Sequence, residues 1–156
     1  MRRRYGAGTD ELLRQRMEAA ELPFTLSEHI PNSRAALRVT ELARDAGLHE
    51  PLHDRLMDAY WGEGEDLGDH GVLRRHAVSA GLEADEVDDV LGSDRYLDRV
   101  AASTQEAVSI GVTGVPAFLL DGRLLVLGAQ PEEVFDRAFE QLGRSSGEEP
   151  NTAAEA

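Results

Sequence analysis

The sequence predicts an α/β fold that is mostly helical and carries a single β-hairpin. Residues 9–110 read as a series of short amphipathic helices, because apolar residues recur there every three or four positions. At Gly111 the pattern changes to two apolar runs, Ala117–Leu120 and Leu124–Leu127, which are separated by Asp121-Gly122-Arg123. An Asp-Gly pair between apolar runs favours a tight hairpin turn, in which both central residues have positive φ.

The individual helices are predicted from capping residues, glycine stops and apolar faces. Their predicted extents are residues 9–21, Asn32 or Ser33 to Ala46, 50–61, Asp69 to Gly81, 84–91, Ser93 or Asp94 to Ile110, and Pro131 to Gly143. Residues 144–156 are small, polar and acidic, so we expect a disordered tail there.

The composition argues against nucleic-acid and membrane partners. The chain has 30 acidic and 16 basic residues and a net charge of -14, whereas a nucleic-acid-binding protein needs a basic footprint. An anionic membrane surface repels such a chain as well. No run approaches the roughly 18 apolar residues of a membrane span, and no apolar signal segment follows the basic residues 2–4. We therefore expect a soluble, cytoplasmic protein.

The chain contains no cysteine, which removes disulfides, thiolate nucleophiles and cysteine-based metal sites. The segment from His49 to His53 matches the letters of the zinc motif H-E-x-x-H, which needs both histidines within one helix. Gly47 lies just before it, and Pro51 biases Glu50 away from helical geometry. We therefore expect His49 to lie outside the helix or at its cap, and we predict no metal site.

An acidic loop lies between two of the predicted helices. Its carboxylates belong to Glu63, Glu65, Asp66 and Asp69. Their spacing misses that of a calcium-binding loop, so we expect a solvated acidic surface. His76 falls on the apolar face of the helix that follows, and we expect it to be a core histidine.

The segment after residue 110 carries a family resemblance. Val115-Pro116 followed by two strands and a helix is similar to the C-terminal half of a thioredoxin-like domain. The fuller pattern resembles the DsbA-like oxidoreductases of the FrnE type, a thioredoxin-superfamily group. Its parts are GV-x-GVP-x-F at Gly111–Phe118, DGR at Asp121–Arg123 and GAQP at Gly128–Pro131.

The resemblance implies a thioredoxin-like (DsbA-type) fold that lacks its N-terminal β-α-β part. That part carries the Cys-x-x-Cys pair in the family, so we expect a truncated chain. Residues 1–143 would form a partial DsbA-like thioredoxin domain, with a large helical insertion at about 9–110 and the proline loop plus ββα unit at about 111–143.

The resemblance also implies a substrate-binding site. In the family the proline that corresponds to Pro116 is cis, and the backbone of the preceding residue, here Val115, can pair with an extended substrate chain. Gly111 and Gly114 would allow that chain to approach closely. The predicted site residues are therefore Gly114, Val115 and Pro116, together with Asn32. Asn32 is included because related isomerases place an asparagine near their active site. The alternative is that Asn32 is a plain helix cap.

Three functions follow as expectations. The first is a DsbA-family thiol–disulfide oxidoreductase or disulfide isomerase that is inactive alone, with no catalytic residue in this chain. The second is a glutathione-dependent isomerase of the 2-hydroxychromene-2-carboxylate isomerase type, for which glutathione would be the cofactor. The third is a non-catalytic peptide-binding module. Whether the chain is an enzyme stays open at this point.

The expected partners follow from the same resemblance. An extended peptide or thiol substrate would occupy the groove at the cis-proline. Two strands alone rarely make a stable sheet, and an open strand edge favours association. We therefore also expect a homodimer or a partner that supplies the missing half.

Overall fold

The structure is a computed structural model that describes residues 7–26 and 30–146, with side chains described for residues 10–26 and 30–143. The basic residues at the start of the chain, and residues 147–156 of the predicted tail, lie outside this range. The chain divides into two compact units, Met1–Ala101 and Ala102–Ala156. None of the helices in the described part combines the length and the apolar character that a bilayer crossing requires.

The predicted mostly helical fold with one hairpin is confirmed. The helices of the first unit are α1 (Ala7–Ala19), α2 (Arg34–Asp45), α3 (His49–Met57), α4 (His70–Ser79) and α5 (Ala84–Gly92). A π-helical turn, Asp58–Gly62, continues α3. The helix α6 (Leu97–Ser109) begins in the first unit and ends in the second. The second unit continues with β1 (Ala117–Leu120), β2 (Leu124–Leu127) and α7 (Glu132–Ser146).

The core of the first unit is aliphatic and lies among α2, α3, α4 and α5. Each fully buried aliphatic side chain stabilises the fold by about 1.5–3 kcal/mol relative to its exposed state. The largest completely buried side chains are Val39, Leu52, Leu73, Val87 and Val90.

Several helix boundaries differ from the expectation: α1 begins at Ala7 rather than at residue 9, and α6 begins at Leu97 rather than directly after a cap at Ser93 or Asp94. His49 is the first residue of α3, so the expectation that it lies outside the helix or at its cap is wrong. Pro51 falls in the first turn, where a missing N–H costs nothing because that group has no partner within the helix. At the other end of the chain, α7 passes through Gly143 and ends at Ser146.

Arg38 is the one buried charged side chain in the described part of the chain. Its guanidinium donates to the backbone carbonyl oxygens of Val90 and Ser93, and at 2.8 Å to that of Arg95. These carbonyls lie at the C-terminal end of α5 and in the segment after it. Arg38 therefore satisfies acceptors that the end of a helix leaves without partners.

The hairpin of the second unit pairs β1 and β2 antiparallel, with Ala117 opposite Leu127 and Leu120 opposite Leu124. Asp121 and Gly122 have φ values of 52° and 64°, as the predicted turn requires. The N–H of Arg123 closes this turn at 3.0 Å from the carbonyl of Leu120. Leu120 pairs with Leu124, so the hairpin loop has three residues, and Arg123 lies between the two turn residues and the start of β2.

Candidate functional site

The candidate loop, Gly111–Pro116, begins at the C-terminal end of α6. Gly111 has a φ of 95°, the left-handed conformation that commonly ends a helix. Its N–H donates to the carbonyl of Val108 at 3.1 Å, and the N–H of Val112 donates to that of Ala107 at 3.0 Å. This pair of hydrogen bonds is a Schellman motif, which fixes the direction in which the loop leaves the helix.

The other end of the loop is anchored to the hairpin. The Val115–Pro116 peptide bond is cis, the isomer that the family resemblance implies. The carbonyl oxygen of Pro116 accepts a hydrogen bond of 2.8 Å from the N–H of Gly128, just after β2. The loop is thus held at both ends by backbone hydrogen bonds.

Val115 is the most exposed of the large apolar side chains in the described part of the chain, at 92% of its accessible surface. Among the described residues, neither its N–H nor its C=O has a hydrogen-bond partner. A Cβ added at the adjacent Gly114 would meet no atom within 4 Å. One backbone donor and one backbone acceptor just before β1 are therefore without a partner among the described residues, and such a pair can bind an extended chain as an added strand.

The loop carries no charge, since its sequence is Gly-Val-Thr-Gly-Val-Pro. It contains no group that titrates near neutral pH and no thiol nucleophile. Its polar chemistry is therefore limited to hydrogen bonds from the backbone and from the hydroxyl of Thr113, beside apolar contact. These interactions suit binding.

Asn32 lies in the first unit, whereas Gly114, Val115 and Pro116 lie together in the second. Its side-chain oxygen accepts the N–H of Arg34 at 3.1 Å, while Ser33, at the N-cap of α2, makes no side-chain capping bond. Asn32 therefore caps α2 from the position that precedes the N-cap residue Ser33. Its role in a substrate site stays a prediction.

A shallow groove of about 350 Å³ lies between β2 and α7. Its lining includes Val126, Val134 and Ala138, and it includes neither Val115 nor Pro116. The ring of Phe118 meets that of Phe135 of α7 edge-on, with centroids 5.1 Å apart. This side of the hairpin is therefore occupied by the packing of α7, and it is separate from the candidate loop.

The sequence analysis missed a cluster of Glu63, Glu65 and His76 in the first unit, whose ligand atoms lie within 4.8 Å of one another. His76 is partly buried, and its Nε2 lies 2.6 Å from Oε2 of Glu65. In the sequence, only the acidic loop and a histidine on the inward face of the next helix pointed to this cluster. Only the fold of the intervening segment brings them together.

Comparisons with known proteins agree with this fold. A family model described as the DsbA-like thioredoxin domain matches residues 7–140. A probable DsbA oxidoreductase from Streptomyces coelicolor is 35% identical, with a TM-score of 0.78 over 96% of this chain and 64% of that one. A candidate protein disulfide isomerase from Nitrosomonas europaea is 18% identical, with a TM-score of 0.66 over 94% of this chain and 79% of that one. No curated protein matches.

The Streptomyces protein shares both sequence and fold with the chain, which spans 64% of its length. The Nitrosomonas protein, at 18% identity, supports the fold alone. The family match covers most of the chain, so the resemblance to DsbA-like proteins and the DsbA-type thioredoxin-like fold are confirmed. The chain belongs to the family of DsbA-like thioredoxin domains.

Proposed function

We propose that the chain binds extended peptide substrates of thiol–disulfide exchange through the loop Gly114–Pro116. The observation that carries this proposal is the exposed Val115, whose backbone N–H and C=O have no partner in the described part of the chain. Two free backbone groups on an anchored loop are suited to pairing with a peptide strand. Because the loop is held at both ends, little conformational entropy is lost on binding.

The proposed recognition depends on the peptide backbone. An incoming strand would donate to the carbonyl of Val115 and accept from its N–H, and its own side chains would alternate on either side of the strand. The open space at Gly114 admits the backbone of the peptide. We expect broad sequence tolerance, which suits an activity on many unfolded proteins.

The chain contributes no thiol of its own. Disulfide exchange begins when a thiolate attacks a disulfide sulfur and forms a mixed disulfide. That thiolate must come from outside these 156 residues, because they contain no cysteine. We therefore propose that the chain supplies substrate binding and is inactive alone as a disulfide reductase or isomerase.

Peptide binding tests the proposal directly. Fluorescence anisotropy with a labelled, extended, cysteine-free peptide should show saturable binding to the wild type. Gly114→Leu fills the open space and should weaken binding at least tenfold. Gly143→Leu is the matched control, because that glycine also lies in the second unit with no atom within 4 Å of an added Cβ. Equal affinities of the two variants, or no binding by the wild type, would overturn the proposal.

Two further measurements separate the alternatives. A peptide that is N-methylated at the pairing residue should lose affinity, because it cannot donate to the carbonyl of Val115. Insulin reduction by dithiothreitol should proceed at the same rate with and without the chain. Saturable binding of glutathione without any peptide binding would instead favour the glutathione-dependent isomerase.

A further inference from the structure

The cluster of Glu63, Glu65 and His76 lies in the first unit and plays no part in the proposed peptide binding. Glu63 and Glu65 flank Gly64 in the loop after the π-helical turn, and His76 lies in the last turn of α4. One ligand atom from each side chain falls within 4.8 Å of the other two. An imidazole nitrogen and two carboxylates thus converge from separate elements.

The loop that carries the two glutamates is held firmly by the backbone. The N–H of Glu63 donates to the carbonyl of Asp58 at 3.0 Å, and that of Glu65 donates to the carbonyl of Ala59 at 2.8 Å. Gly64 has a φ of 74°, and a Cβ there would lie 2.7 Å from Cγ2 of Thr25. A glycine is therefore required at the position that separates the two glutamates.

The two partly buried members are already oriented. Oε2 of Glu65 lies 2.6 Å from Nε2 of His76, and its other oxygen accepts from the guanidinium of Arg75. Glu63 is exposed and has no side-chain partner within the described residues. Glu63 is therefore free to swing toward an ion, while Glu65 and His76 are held in place.

We propose that Glu63, Glu65 and His76 bind a divalent transition-metal ion such as Zn²⁺ or Co²⁺. One imidazole and two carboxylates form a mixed nitrogen and oxygen donor set, which suits these ions, whereas Ca²⁺ takes oxygen ligands. When the ion binds, the contact between Nε2 of His76 and Oε2 of Glu65 gives way to bonds from the imidazole and the carboxylate to the metal. Arg75 retains the second oxygen of Glu65 and orients the carboxylate as an outer-shell partner.

The molecule holds a second candidate for the same ions. His49 and His53 lie one turn apart on α3, and their rings stack with centroids 5.9 Å apart. A histidine pair at this spacing can also bind zinc. Among the described residues, however, no carboxylate or further histidine places a ligand atom within 4.8 Å of both histidines. The pair therefore serves as the internal control.

Trp61 provides the readout, because it is the only tryptophan and lies two residues before Glu63. Titration of the wild type with Co²⁺ alone should quench its fluorescence to saturation, and Zn²⁺ should reverse the quenching by displacing Co²⁺. Ca²⁺ at the same concentration should leave the Co²⁺ curve unchanged. Binding of Zn²⁺ measured by calorimetry should give one ion per chain.

Three variants decide between the sites. Glu63→Gln and His76→Gln should each weaken Co²⁺ binding about tenfold or more, whereas His53→Gln should leave it unchanged. Glu63→Gln alters an exposed side chain, so its fold is not at risk, and circular dichroism verifies this for all three. The proposal is overturned if the wild type shows no saturable quenching, if both cluster variants bind as the wild type does, or if His53→Gln alone abolishes binding.

Discussion

The N–H of Gly128 donates a hydrogen bond of 2.8 Å to the carbonyl oxygen of Pro116, and this bond ties the candidate loop to the far end of the hairpin. Gly128 has a φ of 81°. A Cβ on it would lie 3.3 Å from Nε2 of Gln130, an atom that donates to the carbonyl of Leu127 at 2.7 Å. The position of the loop thus depends on a glycine twelve residues away from it in sequence.

Replacing that glycine should affect both stability and binding. Gly128→Ala places a side chain in the left-handed region, which costs about 1–2 kcal/mol, and shifts the donor that holds Pro116. Gly122→Ala carries the same backbone penalty, since Gly122 has a φ of 64° and no atom within 4 Å of an added Cβ. We expect similar losses in urea unfolding, with peptide affinity reduced only in Gly128→Ala. Unchanged peptide affinity in both variants would contradict this role for Gly128.

Much of the fold could be predicted because its signals are local. Asp121 and Gly122 marked the hairpin turn, since the φ values that the turn needs depend on those two residues alone. Asp69 marked the start of α4, and its carboxylate accepts the N–H groups of Gly71 and Val72 at 2.6 and 3.1 Å. The family resemblance also directed attention to the loop at Val115 and Pro116, whose role in substrate binding stays a prediction.

The remaining features depend on residues that are distant in sequence. Arg38 caps carbonyl groups more than fifty residues away, and the contact of Glu65 with His76 spans eleven positions. Neither pattern can be recognised before the helices are packed. His49 was misplaced for a local reason, because the bias that Pro51 imposes on Glu50 did not prevent α3 from starting at His49, one residue before the predicted start.

Arg38 should be essential for the stability of the first unit. Arg38→Met removes the buried donor and leaves carbonyl groups near the end of α5 without a partner. A buried group that loses its hydrogen bonds costs about 1–3 kcal/mol, so we expect a loss of that order in urea unfolding followed by circular dichroism. Arg34→Met, on the exposed side of α2, should change stability little. Equal losses in the two variants would show that the capping by Arg38 contributes nothing.

Asp45 should make the stability of the first unit sensitive to acid. Hydrogen bonds from Arg99 and from the hydroxyl of Tyr96, each at 2.7 Å, hold the pKa of Asp45 below its ordinary value. A carboxyl with a lowered folded-state pKa stabilises the fold above its unfolded pKa of about 3.9. That contribution is lost as the pH falls through the folded-state pKa.

Thermal melts of Asp45→Asn test this relationship. The melting temperature of the variant should be below that of the wild type at pH 7, and the gap should close as the pH falls below about 4. Asp54→Asn is the control, because Asp54 is exposed and has no side-chain partner among the described residues. A gap that stays constant from pH 7 to about pH 2 would rule out ionisation of Asp45 as its source.

The exposed apolar side of the hairpin should drive self-association. Leu119 and Leu127 point away from the face that Phe118 presents to α7, because neighbouring strand residues alternate between faces. They are 49% and 38% exposed, and the strand edges of this two-stranded sheet are open in the described part of the chain. Exposed apolar surface beside an open edge favours association between copies.

Sedimentation of the wild type should therefore show an average mass that rises with concentration. The double variant Leu119→Lys, Leu127→Lys should stay monomeric, whereas Leu37→Lys, at an equally exposed leucine of α2, should associate as the wild type does. A wild type that remains monomeric at every concentration would contradict the prediction, because the exposed apolar surface would then be stable in water without a partner.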